Sequence, residues 1–483
     1  MSFLISLLFI LIAATMLARK ANAQSVLLLL GIMMWTCAYF LNNNREAVAG
    51  HESSSNQIWL QEMLKFLKTS FSETLGGLGL MIMVIGGFVK FMDHCGASQR
   101  LVDVAMKPLK PFQRNPYLLA SLTLPVGQIL FMAIPSAAGF ALLWMSAVFP
   151  ILTRLGCSTL TAASVASATT AFGIGPACAT TASAMNVLSL EAVPYFLQEQ
   201  LPLVCLPAIC MAIVFYFSNK RADRRHGAGQ TAERQAGQVP VGETGSGKEN
   251  PVVESTVGAG NDSQTPQPHT PHWYAILPMM PIILLLLFSP WINPWAQGYQ
   301  TDTTEVMLLS FLITLICEAL VRRNLRQLLS DLNIFWKGMS EMLLGVVSLV
   351  IAADLFAEGL ITLGFIEDLV KSGSSLGLGS GGIGVLLTLM VFGAAVLMGS
   401  GNAAFFAFGP LVPGIASGLA CSGTHLLLPM QLAASMGRTI SPVSGVLIAV
   451  AAPAGTNSLE IAKRNLLPIG SALLLMMILH FVL

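Results

Sequence analysis

Charged residues are scarce in this sequence. Only 10% of its 483 residues are Asp, Glu, Lys or Arg, against about 25% in ordinary soluble domains. The 25 basic and 24 acidic residues give a formal net charge of +1, so no overall field attracts nucleic acid or an acidic partner. Composition therefore excludes an ordinary soluble domain, and no nucleic-acid partner is expected.

Metal and cofactor motifs are also missing. The cysteines show no C-x-x-C motif and no Cys/His ligand spacing, which argues against a disulfide framework and a zinc site. Segment 242–248 has the spacing of a phosphate-binding loop, but Glu249 stands where a magnesium-binding Ser or Thr belongs, and Pro251 interrupts the helix that should follow. We therefore expect no nucleotide, zinc or organic cofactor. The eight cysteines are Cys37, Cys95, Cys157, Cys178, Cys205, Cys210, Cys317 and Cys421.

Long apolar runs are what the sequence has in abundance. Hydrophobic residues make up 54% of the chain, and a helix needs about 20 apolar residues to cross a hydrocarbon core of about 30 Å. The predicted fold class is an all-α polytopic membrane protein. Its plainest spans are 3–18, 25–41, 76–92, 201–218, 273–289, 305–321, 342–358 and 466–483.

Basic residues are divided unequally between the two sides of these spans. Counted loop by loop, 20 of the 25 Lys and Arg residues lie on one side and four on the other. Basic loops face the cytoplasm, so both termini are predicted outside. Arg19 and Lys20 follow the first apolar run instead of preceding it, which indicates a membrane span rather than an exported signal peptide.

The charge count closes only if two apolar pairs enter and leave the membrane on the same side. These re-entrant hairpins are 117–153, entering from the cytoplasm, and 381–418, entering from outside. Gly and Pro residues interrupt two further spans, 158–190 and 426–453. The predicted topology is about ten transmembrane helices plus two re-entrant hairpins, with broken helices at the midplane, where irregular backbone survives only in a protein interior or wet cavity.

Four regions divide the chain. Residues 1–56 hold two spans and an outer loop, and residues 57–218 form the first repeat unit, which opens with an amphipathic stretch expected to lie on the outer surface. Residues 219–271 are rich in Gly, Pro, Ser and Thr, which predicts a disordered cytoplasmic linker. Residues 272–483 form the second half.

The two halves contain a weak repeat at an offset of about 265 residues. Pro135–Gly139 falls opposite Gly399–Asn402, and Ala168–Pro176 falls opposite Ala434–Pro442. Because the predicted hairpins open in opposite directions, the repeat is inverted. Secondary transporters use inverted repeats for alternating access around a site at the midplane.

The hairpin tips and helix breaks are the predicted binding site. A broken helix exposes unpaired N–H groups, which attract a carboxylate, while the freed carbonyls and the Asn402 amide could hold a cation. The alternative is that small residues only let helices approach closely. The candidate hydroxyl and amide groups are Ser136, Thr169, Thr170, Ser400, Asn402, Thr439, Ser441 and Ser444.

Arg438 is the most specific single candidate. An arginine deep in a span is costly unless paired, and no acid lies in its own segment, so a substrate carboxylate is its natural partner. A structural ion pair with Asp354 or another acid is the alternative. Asp354 and Glu358 are four residues apart near the outer end of their span, where they could titrate for proton coupling or line an outer vestibule.

Three motifs resemble the DcuC family of anaerobic four-carbon dicarboxylate carriers. They are Gly77–Met83 with Gly86–Phe88, then Gly399–Phe408, then Gly437–Gly445. The resemblance runs from about residue 60 to the C-terminus, apart from the linker. It implies a carrier of the bacterial inner membrane that exports succinate or exchanges it for fumarate, malate or aspartate.

The resemblance also implies membership of the ion-transporter superfamily, whose folds are dimeric, with a moving transport domain beside a scaffold. In that superfamily the hairpin tips and broken helices hold substrate and often sodium. The first tip lacks the Ser-Asn-Thr signature of sodium-coupled relatives and has Pro135-Ser136-Ala137 instead. The matching positions here are Ser136, Gly139, Ser400, Gly401, Asn402, Thr439 and Ser441.

The leading hypothesis is a secondary active transporter of C4-dicarboxylates that works by an elevator-like movement. Sodium or a proton is the candidate coupling ion, with Asn402 and Asp354 as candidate ligands, and a homodimer in membrane lipid is expected. A carrier of another organic anion, such as a monocarboxylate, is the main alternative. A hydrolase with Ser400 as nucleophile and His425 as base, and a passive channel, are the remaining alternatives.

Overall fold

A computed structural model describes residues 2–19, 21–41, 59–236, 271–290, 292–293, 295, 302–375 and 377–482. Within these ranges every regular element is a helix and no strand occurs. Helices satisfy their backbone hydrogen bonds internally, which a chain in lipid requires. The all-α class predicted from the sequence is confirmed.

The helices of the first half are α1 (Ser2–Ala18), α2 (Ala23–Leu41), α3 (Trp59–Thr74), α4 (Leu80–His94), α5 (Ala97–Met106), α6 (Pro116–Ala133), α7 (Ala137–Ala147), α8 (Phe149–Arg154), α9 (Thr159–Ala168), α10 (Ala179–Leu188), α11 (Ala192–Pro194) and α12 (Leu201–Ala236). Those of the second half are α13 (Met280–Leu287), α14 (Thr303–Arg322), α15 (Leu325–Met342), α16 (Ser348–Thr362), α17 (Phe365–Ser375), α18 (Ser380–Met398), α19 (Gly401–Phe408), α20 (Val412–Gly418), α21 (Gly423–Thr439), α22 (Gly445–Ala454) and α23 (Ser458–Phe481).

Eight helical segments among the described residues are long and apolar enough to cross a membrane. This supports the predicted polytopic membrane protein. Three other predicted spans fall on shorter apolar helices, Leu4–Leu17, Ala23–Ala38 and His272–Leu287. The eight long segments are Met63–His94, Pro116–Ala133, Ala137–Arg154, Ala192–Arg225, Thr303–Arg322, Arg326–Thr362, Ser380–Met398 and Ser458–Phe481.

Two long helices with a π-helical turn lie side by side. A π turn at Leu75–Gly79 joins α3 to α4, and another at Leu343–Val347 joins α15 to α16. The backbone kinks at Gly77, which has φ −102° and ψ −106°. Helices α4 and α15 pack closely. Their backbones are so near each other that a Cβ on Gly338 would lie only 2.7 Å from the Gly86 carbonyl oxygen.

The amphipathic stretch 57–72 is part of a long helix. From Trp59 onward it forms α3 and continues through the π turn into α4, and its place on the outer surface stays a prediction. Thr74 at the end of α3 donates a hydrogen bond from Oγ1 to Asp354 Oδ2 on α16, at 3.3 Å. Within the stretch itself, Lys65 and Lys68 are exposed.

The linker begins later in the chain than the sequence predicted. The sequence placed residues 219–271 in a disordered linker, whereas α12 continues through Ala236. Asn219 and Asp223 are the physical reason, since both side chains are buried against neighbouring helices. Residues 237–270 of the predicted linker lie outside the described residues.

The same order of elements occurs twice. In the first unit a helix pair, α6 with α7–α8, precedes an interrupted helix, α9 with α10, and the long α12. In the second unit α18 with α19–α20, then α21 with α22, then α23 follow the same order. The packing is reciprocal, because α22 contacts α7 and α9 while α10 contacts α19 and α21. Such reciprocity is what a two-fold axis between two similar units produces.

A buried ion pair ties the two units together at one end. Asp223 on α12 accepts a hydrogen bond from Arg464 Nη2 on α23 at 2.7 Å. Ser158 and Thr161, at the start of α9, donate to the same carboxylate at 2.9 and 2.8 Å. The side chains of Asp223 and Arg464 are 8% and 9% exposed, so neither charge is solvated by bulk water.

Arg464→Gln is expected to destabilise the protein strongly. Removing one partner of a buried pair leaves an uncompensated charge, at a cost of about 3–5 kcal/mol. Its neighbour provides a matched control, because Lys463 is 60% exposed and pairs only at the surface with Glu460, an interaction worth about 0–1 kcal/mol. Thermal unfolding in detergent should show a lower midpoint for Arg464→Gln than for Lys463→Gln. Equal midpoints would contradict a structural role for the pair.

Candidate functional site

Four helices begin at the tips and interruptions of the two units. Helices α7 and α19 begin at the tips of the helix pairs, and α10 and α22 begin after the interruptions. Each tip lies beside a break of its own unit. Pro135 and Ser136 line a cavity together with Ala177 and Ala179. At the second tip, a Cβ on Gly399 would lie 2.8 Å from the carbonyl oxygen of residue 443. Helix N-termini carry partial positive charge and unpaired N–H groups, so each tip-and-break pair favours an anion.

The first helix break is held by an amide from the other unit. Gln431 on α21 is fully buried and donates from Nε2 to the Gly173 carbonyl at 2.9 Å and to Thr181 Oγ1 at 2.8 Å. Its Oε1 accepts a hydrogen bond from Tyr195 OH at 2.7 Å. One side chain therefore satisfies a backbone carbonyl that the interruption frees.

A second glutamine completes this network. Gln200 accepts a hydrogen bond from the Gly175 amide at 3.0 Å and donates to Gln431 Oε1 at 3.2 Å. Gly175 has φ +97°, a conformation that favours glycine. Buried networks in which every member is paired are rigid, so the break has a fixed shape rather than a frayed one.

Arg438 lies at the last turn of α21, beside the first break. Its Nη2 donates to the Thr170 carbonyl oxygen at 2.9 Å, and its Nε is buried without a hydrogen-bond partner. No carboxylate of the described residues forms an ion pair with it. A guanidinium has five donors, so most of its hydrogen-bonding capacity is unused.

Helix ends partly stabilise the Arg438 charge. The side chain lies at the C-terminus of α21 and contacts the backbone just after α9. Helix C-termini carry partial negative charge, which favours a cation. This explains how the guanidinium is tolerated without an acid, and it leaves the positive charge available to a bound anion.

Asp354 is not the partner of Arg438 in this structure. It lies on α16 and accepts the hydrogen bond from Thr74 described above. The structural ion pair considered from the sequence is therefore not formed. Asp354 belongs to the group of long helices, and its helix α16 also packs against α19.

Several of the candidate hydroxyl groups already use their only hydrogen. All of them are buried, and each donates to a backbone carbonyl. A hydroxyl has one donor, so these side chains can only accept a further hydrogen bond and are poor donors to an anion. The bonds are Thr169 to Ala166 at 2.8 Å, Thr170 to Ser167 at 2.9 Å, Thr439 to Met436 at 2.7 Å and Ser441 to Val396 at 2.6 Å.

Other candidates keep polar groups unused. Ser444 Oγ is buried without a partner, and Ser136 makes no capping bond at the start of α7. The Asn402 amide, at the second position of α19, has no hydrogen bond to a described residue. Ser400 Oγ accepts a hydrogen bond from the Ala403 amide at 3.2 Å and caps α19, and this bond leaves the hydroxyl hydrogen to donate to a ligand. Arg438, Asn402, Ser136, Ser400 and Ser444 are therefore the groups best able to bind a ligand.

The two candidate glycines lie at the tips. A Cβ on Gly139, in the first turn of α7, would lie 2.9 Å from Ser136 Oγ. A Cβ on Gly401 would lie 2.6 Å from the Ala434 carbonyl oxygen of α21. Glycine therefore lets the second tip approach α21 one turn before Arg438.

A cavity of about 220 Å³ separates the first tip from the long helices. Lys90, Asp93 and Glu341 contribute charged groups to its wall, and Lys90 pairs with Glu341. The sequence reasoning missed these residues, and it also missed Gln431 and Gln200. A lone glutamine within the apolar run 426–434 was the available signal, since intramembrane polar groups are usually functional.

Gly401→Ala is expected to be destabilising. The added methyl group would meet backbone, and overpacking of this kind costs about 1–3 kcal/mol. Gly445 is the matched control. It is also the first residue of a helix, but a Cβ on Gly445 would have no atom within 4 Å. Thermal unfolding should show a clear loss for Gly401→Ala and little change for Gly445→Ala. Equal effects would show that the tip does not pack tightly on α21.

Comparison with known proteins identifies relatives over the whole chain. A family model described as C4-dicarboxylate anaerobic carrier, DcuC, matches residues 1–483. A probable anaerobic C4-dicarboxylate transporter DcuC of Vibrio cholerae is 30% identical over 92% of this chain and 89% of its own length. The anaerobic C4-dicarboxylate transporter DcuC of Escherichia coli K12 is 30% identical over 88% of this chain and 86% of its own.

A solved structure shows a similar fold. It is MtrF of Neisseria gonorrhoeae, reported in connection with a class of antimetabolite efflux pumps, with a TM-score of 0.54 and 12% identity. The match covers 96% of both chains. At this identity the likeness concerns the fold alone.

Proposed function

This chain belongs to the DcuC family of C4-dicarboxylate anaerobic carriers, and we propose that it transports C4-dicarboxylates such as succinate and fumarate across a bacterial inner membrane. The resemblance seen in the sequence motifs is thereby confirmed. One structural observation supports the substrate class most directly. Arg438 lies beside the first helix break and forms no ion pair with an acid among the described residues.

The proposed binding mode uses both ends of the substrate. One carboxylate accepts two hydrogen bonds from the unused guanidinium donors of Arg438, because Arg–carboxylate pairs favour bidentate geometry. The other carboxylate lies at the second tip, where the N-termini of α19 and α22 offer N–H groups. Asn402 and Ser444 supply side-chain donors there. This arrangement recognises an anion without ATP or another cofactor.

A carrier of a different organic anion is the alternative. Arg438 provides one full positive charge, and the second tip provides only partial charges, so a monocarboxylate also satisfies the strongest contact. Competition separates the two, because a substrate that needs both ends must outcompete butyrate, which has one carboxylate and the same carbon number.

The proposed mechanism is alternating access by an elevator-like movement. The two units form the moving part, and the long helices α3–α4 and α15–α16 form the scaffold. Supporting this, the cavity lined by Lys90 and Glu341 separates the first tip from the scaffold, so the tip can slide without breaking a dense core there. The reciprocal packing of the units supports the inverted repeat.

The remaining topology belongs to the same proposal. The helix pairs α6/α7–α8 and α18/α19–α20 are re-entrant hairpins, about ten other segments cross the membrane, and two copies form a homodimer. Both termini are periplasmic and the linker is cytoplasmic, as the basic residues indicate. Sodium and protons are the candidate coupling ions. The side-chain carbonyl oxygen of Asn402 is the candidate ligand for sodium, and the Asp354 carboxylate is the candidate proton acceptor.

Transport measurements with Arg438 variants test the function. Purified protein in proteoliposomes loaded with fumarate should take up labelled succinate, and excess succinate or fumarate should inhibit uptake far more than butyrate. Arg438→Gln should reduce uptake at least about 30-fold, since a charged hydrogen-bonded contact is worth about 2–5 kcal/mol. Arg438→Lys should recover only part of it, because lysine lacks the bidentate fork.

Controls make this result specific. Lys463→Gln removes a basic residue at the surface and should transport normally, and thermal unfolding should show that Arg438→Gln remains folded. Repeating uptake with sodium and pH gradients identifies the coupling ion. Uptake that persists unchanged in a folded Arg438→Gln protein would remove this arginine from the site, and equal inhibition by butyrate would favour the monocarboxylate alternative.

Cross-linking between scaffold and moving part tests the mechanism. Val89 on α4 and Ala179 at the start of α10 line the same cavity. In a variant with the eight native cysteines replaced, a short bis-thiol reagent should join Val89→Cys to Ala179→Cys and stop transport, while each single-cysteine protein stays active. The cross-linked fraction should change when succinate is present. Full cross-linking with undiminished transport would contradict a sliding movement at this interface.

A further inference from the structure

We propose that the middle of α12, just after its apolar part, holds the headgroup of an anionic phospholipid. The site is a cavity of about 620 Å³ on the surface of this helix. It lies away from the hairpin tips, and the proposal rests on the membrane location of the chain rather than on its substrate. The cavity is lined by Tyr216, Phe217, Lys220, Arg221, Arg224 and Arg225.

One face of α12 is continuous from apolar to basic. Leu206, Ile209, Ile213 and Phe217 are 53–64% exposed, and their spacing of three and four residues places them in one stripe. The same helical period places Lys220, Arg221, Arg224 and Arg225 on that face, one to two turns beyond Phe217. A phospholipid has this order of chemistry, with acyl chains followed by a charged phosphate.

The acidic residue nearest to this basic cluster in the sequence, Asp223, lies on the opposite face of α12. Asp223 points toward α9 and α23, where it is paired with Arg464 and accepts hydrogen bonds from Ser158 and Thr161. In the described part of the chain, none of the four basic residues of the cavity forms an ion pair. Four positive charges are therefore gathered with no protein anion among the described residues to neutralise them.

Lys220 is held in place before any ligand binds. Its Nζ donates to Tyr216 OH at 2.7 Å and lies 4.8 Å from the centre of the same ring. Asn115 Nδ2 is 3.5 Å from this hydroxyl, and Asn115 also caps α6. These contacts order the ammonium without cancelling its charge, which lowers the entropic cost of binding a phosphate.

Charge and position favour a lipid over other anions. Basic clusters at the cytoplasmic end of a transmembrane helix bind anionic headgroups, with each Lys or Arg contributing attraction. A soluble phosphate would use the basic residues but not the apolar stripe. Asn115 contacts Tyr216 of the cavity and caps α6. A bound lipid therefore also stabilises α6, the first helix of the first helix pair.

Native mass spectrometry of the full-length protein with added phosphatidylglycerol tests the proposal. The double variant Lys220→Gln/Arg224→Gln should bind phosphatidylglycerol at least about 10-fold more weakly than the unmodified protein. The double variant Arg323→Gln/Arg326→Gln is the matched control, because it removes two exposed basic residues from another helix end. The control should bind normally, and phosphatidylcholine should bind weakly to every protein.

Further arms separate the other occupants. Soluble glycerol 3-phosphate should not displace phosphatidylglycerol at equal concentration, and deleting residues 238–268, which contain four acidic side chains, should leave lipid binding unchanged. Equal losses in both double variants would reduce the effect to general surface charge. Displacement by glycerol 3-phosphate would indicate a phosphate site, and lipid binding that appears only after the deletion would show that the linker fills the cavity. Each of these three results overturns the proposal.

Discussion

Interrupted helices must satisfy their backbone groups without water, and much of this structure follows from that constraint. An unpaired carbonyl or amide in a dry interior costs several kcal/mol. Around the first break the solution comes from the second unit. Gln431 binds the Gly173 carbonyl, Arg438 binds the Thr170 carbonyl, and Asn465 donates to Ser167 Oγ at 2.8 Å. The two units therefore interlock at the level of hydrogen bonds as well as helix packing.

The same interruptions create the means to bind an anion. Breaking a helix gives one end with partial positive charge and one with partial negative charge. The negative ends of α9 and α21 stabilise the Arg438 guanidinium, while the positive ends of α19 and α22 remain for a ligand. In the proposed binding mode, a dicarboxylate bridges a full charge and a pair of partial charges. Backbone would then supply much of the positive charge of the proposed site, which would need few charged side chains inside the membrane.

Local signals in the sequence were enough to predict the helix interruptions and to single out Arg438 as a candidate binding residue. Gly173, Pro176 and Pro442 break apolar runs, and Arg438 stands out against its surroundings. The partners of these groups were not predictable, because Gln431 and Gly173 are 258 residues apart and nothing local relates them. The extension of α12 was missed for the same reason, since the partners of Asp223, which include Ser158, Thr161 and Arg464, lie far from it in the sequence. Uniformly apolar segments also gave no sign of the π turns.

A cryo-electron-microscopy map of the protein in lipid nanodiscs with saturating fumarate would test the central claim most directly. The account predicts density for a four-carbon ligand with one carboxylate within hydrogen-bonding distance of Arg438 and the other at the N-termini of α19 and α22, near Asn402 and Ser444. Ligand density confined to the cavity beside Lys90 and Glu341, with Arg438 still bonded only to the Thr170 carbonyl, would contradict it.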